Sequence, residues 1–241
     1  MDTWDPGTYL SYSDERGRPF FDLVARVSAQ RPGTVVDLGC GPGNLTLTLA
    51  ERWPTARIQG IDSSEAMIRA ARGTDRVHFA VGGIEEWATG TDRADVVVAN
   101  ASLQWVPGHL ELLGALKERV AEGGWLAFQV PGNFDEPSHA IRRELAALPE
   151  YAAHVNGVAV PSSHDPRDYH RVLASDGWQV DAWETTYLHE LTGVDPGGHG
   201  AARRRLPATR GRLRSPPTRN AGRRVRWMRP TRRPSRQTPG R

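Results

Sequence analysis

A single cysteine, Cys40, stands among 241 residues. No disulfide can form within the chain, which suits a reducing compartment. No stretch approaches the roughly 20 apolar residues that span a bilayer. The start, MDTWDPGTYL, lacks the basic segment and apolar run of a secretory signal. A cytoplasmic protein with no membrane partner is therefore expected. The eight histidines and Cys40 show no metal-ligand spacing, so no metal is expected. No internal repeat is present. Acidic residues and lysine are missing altogether from Gly197 to Arg241, a stretch that holds 15 Arg. This leaves 16 of the 31 Lys+Arg against all 28 Asp+Glu in residues 1–196, a net of −12. The sequence pI of about 9.4 thus describes the tail, not the body.

What is there is an alternation. Thr34–Leu38, Arg57–Ile61, Val77–Val81, Ala94–Ala99, Trp125–Val130 and Trp178–Leu188 are short apolar or β-branched runs that suit strands. Helical spacing is predicted over Phe20–Ala29, Asn44–Trp53, Ser64–Arg72, His109–Val120, Ser138–Leu148 and Asp168–Ser175, with a short turn at Glu85–Trp87. Ser63 or Ser64 is suited to cap the third of these. Strands alternating with helices predict an α/β fold: a doubly wound, Rossmann-like, mostly parallel sheet. One domain is expected over residues 1–196. It comprises an N-terminal lid and helix (1–33), a cofactor-binding core (34–130) and a substrate-side segment (131–196). Beyond it, residues 197–241 carry no apolar period. An Arg/Pro-rich segment of this kind buries too little to offset its ordering entropy, so a disordered basic tail is expected.

The first strand delivers Val35-Val36-Asp37-Leu38 into Gly39-x-Gly41-x-Gly43. Glycines let backbone turn sharply and approach a ligand closely. In an open α/β sheet, ligands sit outside the carboxyl ends of the strands. The spacing separates two cofactors. A dinucleotide fingerprint, G-x-G-x-x-G, requires glycine where Asn44 stands. Asp37 would also repel a pyrophosphate, whereas it suits a cofactor bearing a cationic amino group. Asp62, at the end of the second strand, is placed to accept both hydroxyls of a ribose.

In order, VVDLGCGPGN, GIDSS, ADVVVANASLQWV and GGWLAFQV resemble the motif set of class I S-adenosylmethionine-dependent methyltransferases. WDPGTYLSYSDERGRPFFDL, NASLQWVPGH, QVPGNFDEPSH and DAWETTYLHELTG narrow the resemblance to the trans-aconitate methyltransferase family, over about residues 3–196. The resemblance implies S-adenosyl-L-methionine as cofactor and a small polycarboxylic acid as substrate. It places the backbone of Gly39, Gly41 and Gly43 along the methionine part. Asp37 would act near its amino group, and Asp62 would hold the ribose with Ser63 beside it. The N–H of Ile84 would face adenine, and Asn100 would lie near the methionine end. The family usually presents an acid to adenine where this chain has Gly83.

Esterifying an acid asks little of the protein, because the carboxylate is already ionised at neutral pH and needs no general base. No catalytic residue is therefore assigned. Substrate candidates are Tyr12 and Arg16 in the lid, Trp105 after the fourth strand, Asn133 and His139 after the fifth, and Tyr187. Plain alternatives stand beside them: a solvated charge for Arg16, rim packing for Trp105, and capping near Ser138 for His139. Cys40 occupies a position that needs a small residue and is not read as a nucleophile.

The tail admits two readings. A basic, acid-free segment suits nucleic acid, yet aromatics other than Trp227 are missing and no binding motif is present. The family resemblance stops after HELTGVDP, at Pro196. Arg/Pro/Gly/Ala-rich text with almost no aliphatics is what a GC-rich reading frame gives when shifted. Residues from about Gly197 are therefore read as out of frame. On this reading nucleic acid is not a partner, and a monomer is expected. The final antiparallel strand is missing, which leaves Trp178–Leu188 at an open edge. A cofactor-binding but impaired product, or a methyltransferase acting on another small acid, are the alternatives to a working trans-aconitate methyltransferase.

Overall fold

The computed structural model describes residues 13–155, 157–174, 177–187 and 223–232. Strands β1 (Thr34–Leu38), β2 (Arg57–Asp62), β3 (Val77–Val81), β4 (Ala94–Asn100) and β5 (Val120–Pro131) are parallel. With β6 (Trp178–Tyr187) and β7 (Arg223–Arg232) they make a seven-stranded sheet in the order β3-β2-β1-β4-β5-β7-β6. The order reverses between β1 and β4, so the crevice at a topological switch point opens beyond Leu38 and Asn100.

The two-residue period of each strand divides the core. Val36, Val97, Leu126 and Phe128 enter one apolar cluster, while Val35, Val96, Val98, Trp125 and Ala127 enter the other. Helices α1 (Ser13–Ala25) and α2 (Asn44–Arg52) cover the second face through Phe20, Leu23, Val24 and Leu49. Helices α4 (Ile84–Thr89), α5 (His109–Glu118) and α8 (Pro166–Leu173) cover the first through Ile84, Trp87, Leu113, Leu116, Tyr169 and Leu173. Short α3 (Glu65–Ala70) is capped by Ser64, whose hydroxyl accepts from the Met67 N–H at 3.4 Å. Helices α6 (Pro137–Ala147) and α7 (Pro149–Val155) follow β5, and α6 has no buried residue.

Four differences from the predicted elements have physical causes. Helix α1 begins at Ser13 rather than Phe20, carrying Pro19 inside it at the cost of one backbone hydrogen bond. Strand β5 runs through Gly123-Gly124 instead of starting at Trp125. A Cβ on Gly124 would meet the Asp95 carbonyl at 2.6 Å, so glycine there serves close backbone approach, not a break. Helix α7 lies after Pro149, a residue suited to a helix's first turn.

The fourth difference corrects the missing strand. The position between β5 and β6 is filled by β7, antiparallel to both, with Gln129 opposite Trp227 and Trp183 opposite Trp227 on the other side. Pairing uses backbone N–H and C=O groups, which an Arg-rich segment carries as well as an aliphatic one. Pro230, opposite Val180, supplies no donor at its place in the ladder. The expected disordered tail is thus strand over Arg223–Arg232; residues 188–222 and 233–241 lie outside the described residues.

Candidate functional site

The β1–α2 turn is held open for a ligand by its glycines. Gly39, Gly41 and Gly43 have φ of 75°, 57° and 82°, the left-handed region that side chains disfavour. Space adds to conformation at two of them: a Cβ on Gly39 would lie 2.2 Å from the Ser102 Cβ, and one on Gly43 2.3 Å from the Phe79 ring. The turn is tied to β2 by the Gly39 and Cys40 N–H groups, which donate to the Ile61 carbonyl at 2.7 and 3.0 Å.

Asp62 is the hub of this arrangement. One carboxylate oxygen accepts from the Gly41 N–H at 2.8 Å and the other from the Ser64 N–H at 2.8 Å. It is half-buried, with Ser63 exposed beside it. Each oxygen keeps a further lone pair, free to accept from one of two ribose hydroxyls. Ile84 opens α4, where the N–H groups of a helix have no intrahelical partner. Gly83 precedes it with φ of −87°, and a Cβ there would have no neighbour nearer than 3.6 Å, so an acid at this position would fit unstrained.

Asn100 ends β4, and its Oδ1 is buried without a hydrogen-bond partner. A buried orphan acceptor facing the switch-point crevice calls for a donor from a ligand. The next residue, Ala101, has φ of 51° and is the one non-glycine residue with positive φ among those described. Strain of this kind costs about 1–3 kcal/mol and gathers at functional sites. It is held in place by Gln129, whose Oε1 accepts from the Ala101 N–H at 3.0 Å, and by Gln104, whose Nε2 donates to the Ala101 carbonyl at 2.6 Å. Together these groups fit a nucleoside cofactor with a cationic amino-acid end.

Asp37 is 3% exposed, and its Oδ2 accepts from the Thr46 hydroxyl at 2.6 Å. Burial, relieved in part by that hydrogen bond and reinforced by Asp62, pushes its carboxyl up to about 6. The folded state therefore holds this proton more tightly than the unfolded chain, and stability falls as pH rises from about 4 to about 6. Roughly two pH units correspond to about 3 kcal/mol. Asp37→Asn, which keeps the Thr46 acceptor, should be more stable than the parent by up to about 3 kcal/mol at about pH 7.5. The gain should vanish below about pH 4, while cofactor binding weakens. Urea unfolding across pH checks this; no gain at neutral pH would refute it. The Cys40 thiol is pushed up by burial first, then by Asp37 and Asp62, which leaves it a poor nucleophile.

Of the substrate candidates, the structure brings some together and separates others. Asn133 Nδ2 lies 3.4 Å from His139 Nε2, and the His139 ring meets Phe134 edge-on at 5.5 Å. Trp105 ends a 3-10 turn, Leu103–Trp105, and is 40% exposed at the same end of the sheet. A cavity of about 400 Å³ opens between the segment after β5 (Gly132, Phe134, Asp135) and Pro161–Asp165. Tyr187 is not part of this region: it is 4% exposed in the opposite core, and its hydroxyl donates to Asp22 on α1. Arg16 stands in α1, but its side chain, like all of Tyr12, lies outside the described residues. Sequence reasoning missed Thr46, Ser102, Gln104 and Gln129. Each is buried and acts through a contact that sequence spacing does not announce, as when the Ser102 hydroxyl donates to the Leu38 carbonyl at 2.8 Å. Among the described residues no cluster could hold a metal, and no helix is long and apolar enough to cross a membrane.

Comparison with known proteins agrees with this geometry. A family described as a methyltransferase domain matches residues 12–182. A curated trans-aconitate 2-methyltransferase of Rhodococcus jostii (strain RHA1) is 50% identical over 198 residues, which is 80% of this chain and 76% of that one. A counterpart from Mycolicibacterium gilvum (strain PYR-GCK) is 49% identical over 196 residues, again 80% of this chain and 76% of the other. Among solved structures, an S-adenosylmethionine-dependent methyltransferase from Listeria monocytogenes shares the fold, with a TM-score of 0.60 at 19% identity, covering 91% of this chain and 99% of that one. The chain belongs to the methyltransferase-domain family, among relatives curated as trans-aconitate 2-methyltransferases, and it has the fold of an S-adenosylmethionine-dependent methyltransferase.

Proposed function

We propose that the protein methylates a carboxylate of a small polycarboxylic acid, trans-aconitate first among them, to give a methyl ester. The observation that carries this reading is the 50% identity over 80% of the chain to a curated trans-aconitate 2-methyltransferase. When bound, the cofactor would supply a sulfonium methyl group to a carboxylate oxygen of the acid, the C–S bond breaking as the C–O bond forms and a neutral thioether leaving. Asp37, Asp62, Ile84, Asn100 and the Gly39–Gly43 turn hold the cofactor. The groups beyond β4 and β5 orient the acid against it and exclude water, so the rate gain comes from proximity and orientation. No side chain has to take a proton.

The test is incubation of the full chain with methyl-labelled S-adenosylmethionine and trans-aconitate, against citrate and a monocarboxylic acid. A base-labile labelled ester from trans-aconitate is expected. Folded protein that binds S-adenosylhomocysteine yet esterifies none of them would sink the substrate reading and leave the cofactor site standing.

A second reading is favoured by composition. Gly197–Arg241, with 15 Arg and no acid, lies beyond the matched methyltransferase domain, which ends at residue 182. An out-of-frame C-terminal segment would leave the cofactor half intact while weakening turnover. Resequencing the gene decides it: no single-base change that restores an apolar, family-like segment would rule it out.

A further inference from the structure

The substrate proposed above carries more negative charge than the one carboxylate being methylated, and the sequence-predicted candidates beyond β5 supply no guanidinium to meet it. One stands beside the cavity beyond β5, held to two of its lining residues. Arg143 lies on α6 one turn after His139, so the two share a helix face. Its Nη1 donates to the carbonyl of Phe134, and its Nη2 lies 3.6 Å from Asp135 Oδ1; both Phe134 and Asp135 line the cavity. His139 reaches the same wall through the Phe134 ring, and Asn133 through His139.

Two acids also line this cavity, and each has a partner. Asp165 Oδ1 accepts from the Arg167 N–H at 2.9 Å and caps α8. Asp135 faces Arg143, but its side chain is fully exposed, so the pair is a weak, solvent-screened one that a better acceptor can displace. The opposite wall is anchored: the Ser162 N–H donates to the Gln104 carbonyl at 2.9 Å, and the His164 N–H donates to the Tyr169 hydroxyl at 3.1 Å. Gln104 is the neighbour of Trp105, so the wall rests directly on the turn beyond β4. A guanidinium with donors to spare, at the edge of a fixed cavity at the carboxyl end of the sheet, matches a carboxylate's two oxygens.

From this juxtaposition we propose that Arg143, supported by His139 and Asn133, receives a carboxylate of the substrate other than the one methylated, and so sets the preference for polycarboxylic over monocarboxylic acids. The proposal rests on the polycarboxylate reading. Arg143 acts on binding, not on the transfer itself.

Calorimetric titration of the full chain, saturated with S-adenosylhomocysteine, with trans-aconitate tests it. The parent, Arg143→Lys and Arg143→Ala are compared. Arg143→Ala should bind trans-aconitate at least about tenfold more weakly. Arg143→Lys, which keeps the charge but not the planar fork, should fall between. Affinity for S-adenosylhomocysteine and the unfolding midpoint should be those of the parent, since the side chain is half-exposed. In turnover the same variant should raise KM with kcat little changed. Parent-like trans-aconitate binding in Arg143→Ala overturns the assignment of Arg143. A parent that binds no polycarboxylate at all overturns the substrate reading, and this inference with it.

Discussion

Asp62→Ala should lose S-adenosylhomocysteine affinity by about 100-fold or more, because two kinds of hydrogen bond to a charged acceptor disappear together. On the proposed reading, one kind is with the ligand: two ribose hydroxyls, each worth about 1.5–3 kcal/mol against a carboxylate. The other is internal. Asp62 fixes the Gly41 N–H in the glycine turn and the Ser64 N–H at the start of α3, both at 2.8 Å. Without it the turn keeps only its ties to the Ile61 carbonyl. Asp62→Asn separates the two contributions, since its amide oxygen can still hold one of the N–H groups while the charge is gone. Calorimetry should rank the affinities parent, Asn, Ala. A Kd for Asp62→Ala within about threefold of the parent would mean that ribose is recognised elsewhere.

The part of the fold around the glycine turn was legible in the sequence because its determinants are local. A run of apolar residues, three glycines at fixed spacing and an acid at the next strand end all belong to short segments, and β1, β2 and α2 lie within two residues of where the sequence predicts them. What the sequence hid is long-range or backbone-borne. Tyr187, a substrate candidate in the sequence, lies elsewhere for a long-range reason. Its parity with Trp183 along β6 puts both on the α1 face, where Asp22, 165 residues away in sequence, takes the hydroxyl. The left-handed φ of Ala101 has no sequence signature. Strand β7 was invisible for a different reason: no apolar alternation marks it, and only its backbone enters the pairing that joins β5 to β6. Arg143, one exposed arginine beside another, reads as surface charge until its contacts with Phe134 and Asp135, which line the cavity, are seen.

Tyr169→Ala is the substitution expected to damage the fold most. Tyr169 is wholly buried, stacked on His109 at 5.7 Å and edge-on to Phe128 at 5.6 Å, so it joins α8 to α5 and the sheet. Its hydroxyl donates to His109 Nε2 at 2.7 Å and accepts the His164 N–H, while His109 Nδ1 donates to the Val106 carbonyl at 3.2 Å. Truncation leaves a cavity worth about 3–5 kcal/mol and strips a partner from two polar groups. Against the 5–15 kcal/mol typical of a folded domain, about a third or more of the stability would go. Tyr169→Phe keeps the ring and removes only the hydroxyl, for about 1–3 kcal/mol. The pH of the measurement matters. Burial holds the His109 imidazole below its ordinary range, so the folded protein keeps it neutral and loses stability as pH falls through the range where the unfolded chain protonates. The deficit of Tyr169→Phe is therefore read at about pH 8, where His109 is neutral in the folded and the unfolded chain alike, by urea unfolding. A Tyr169→Phe protein as stable as the parent at about pH 8 would show that the hydroxyl contributes nothing and that ring packing alone holds α8 in place.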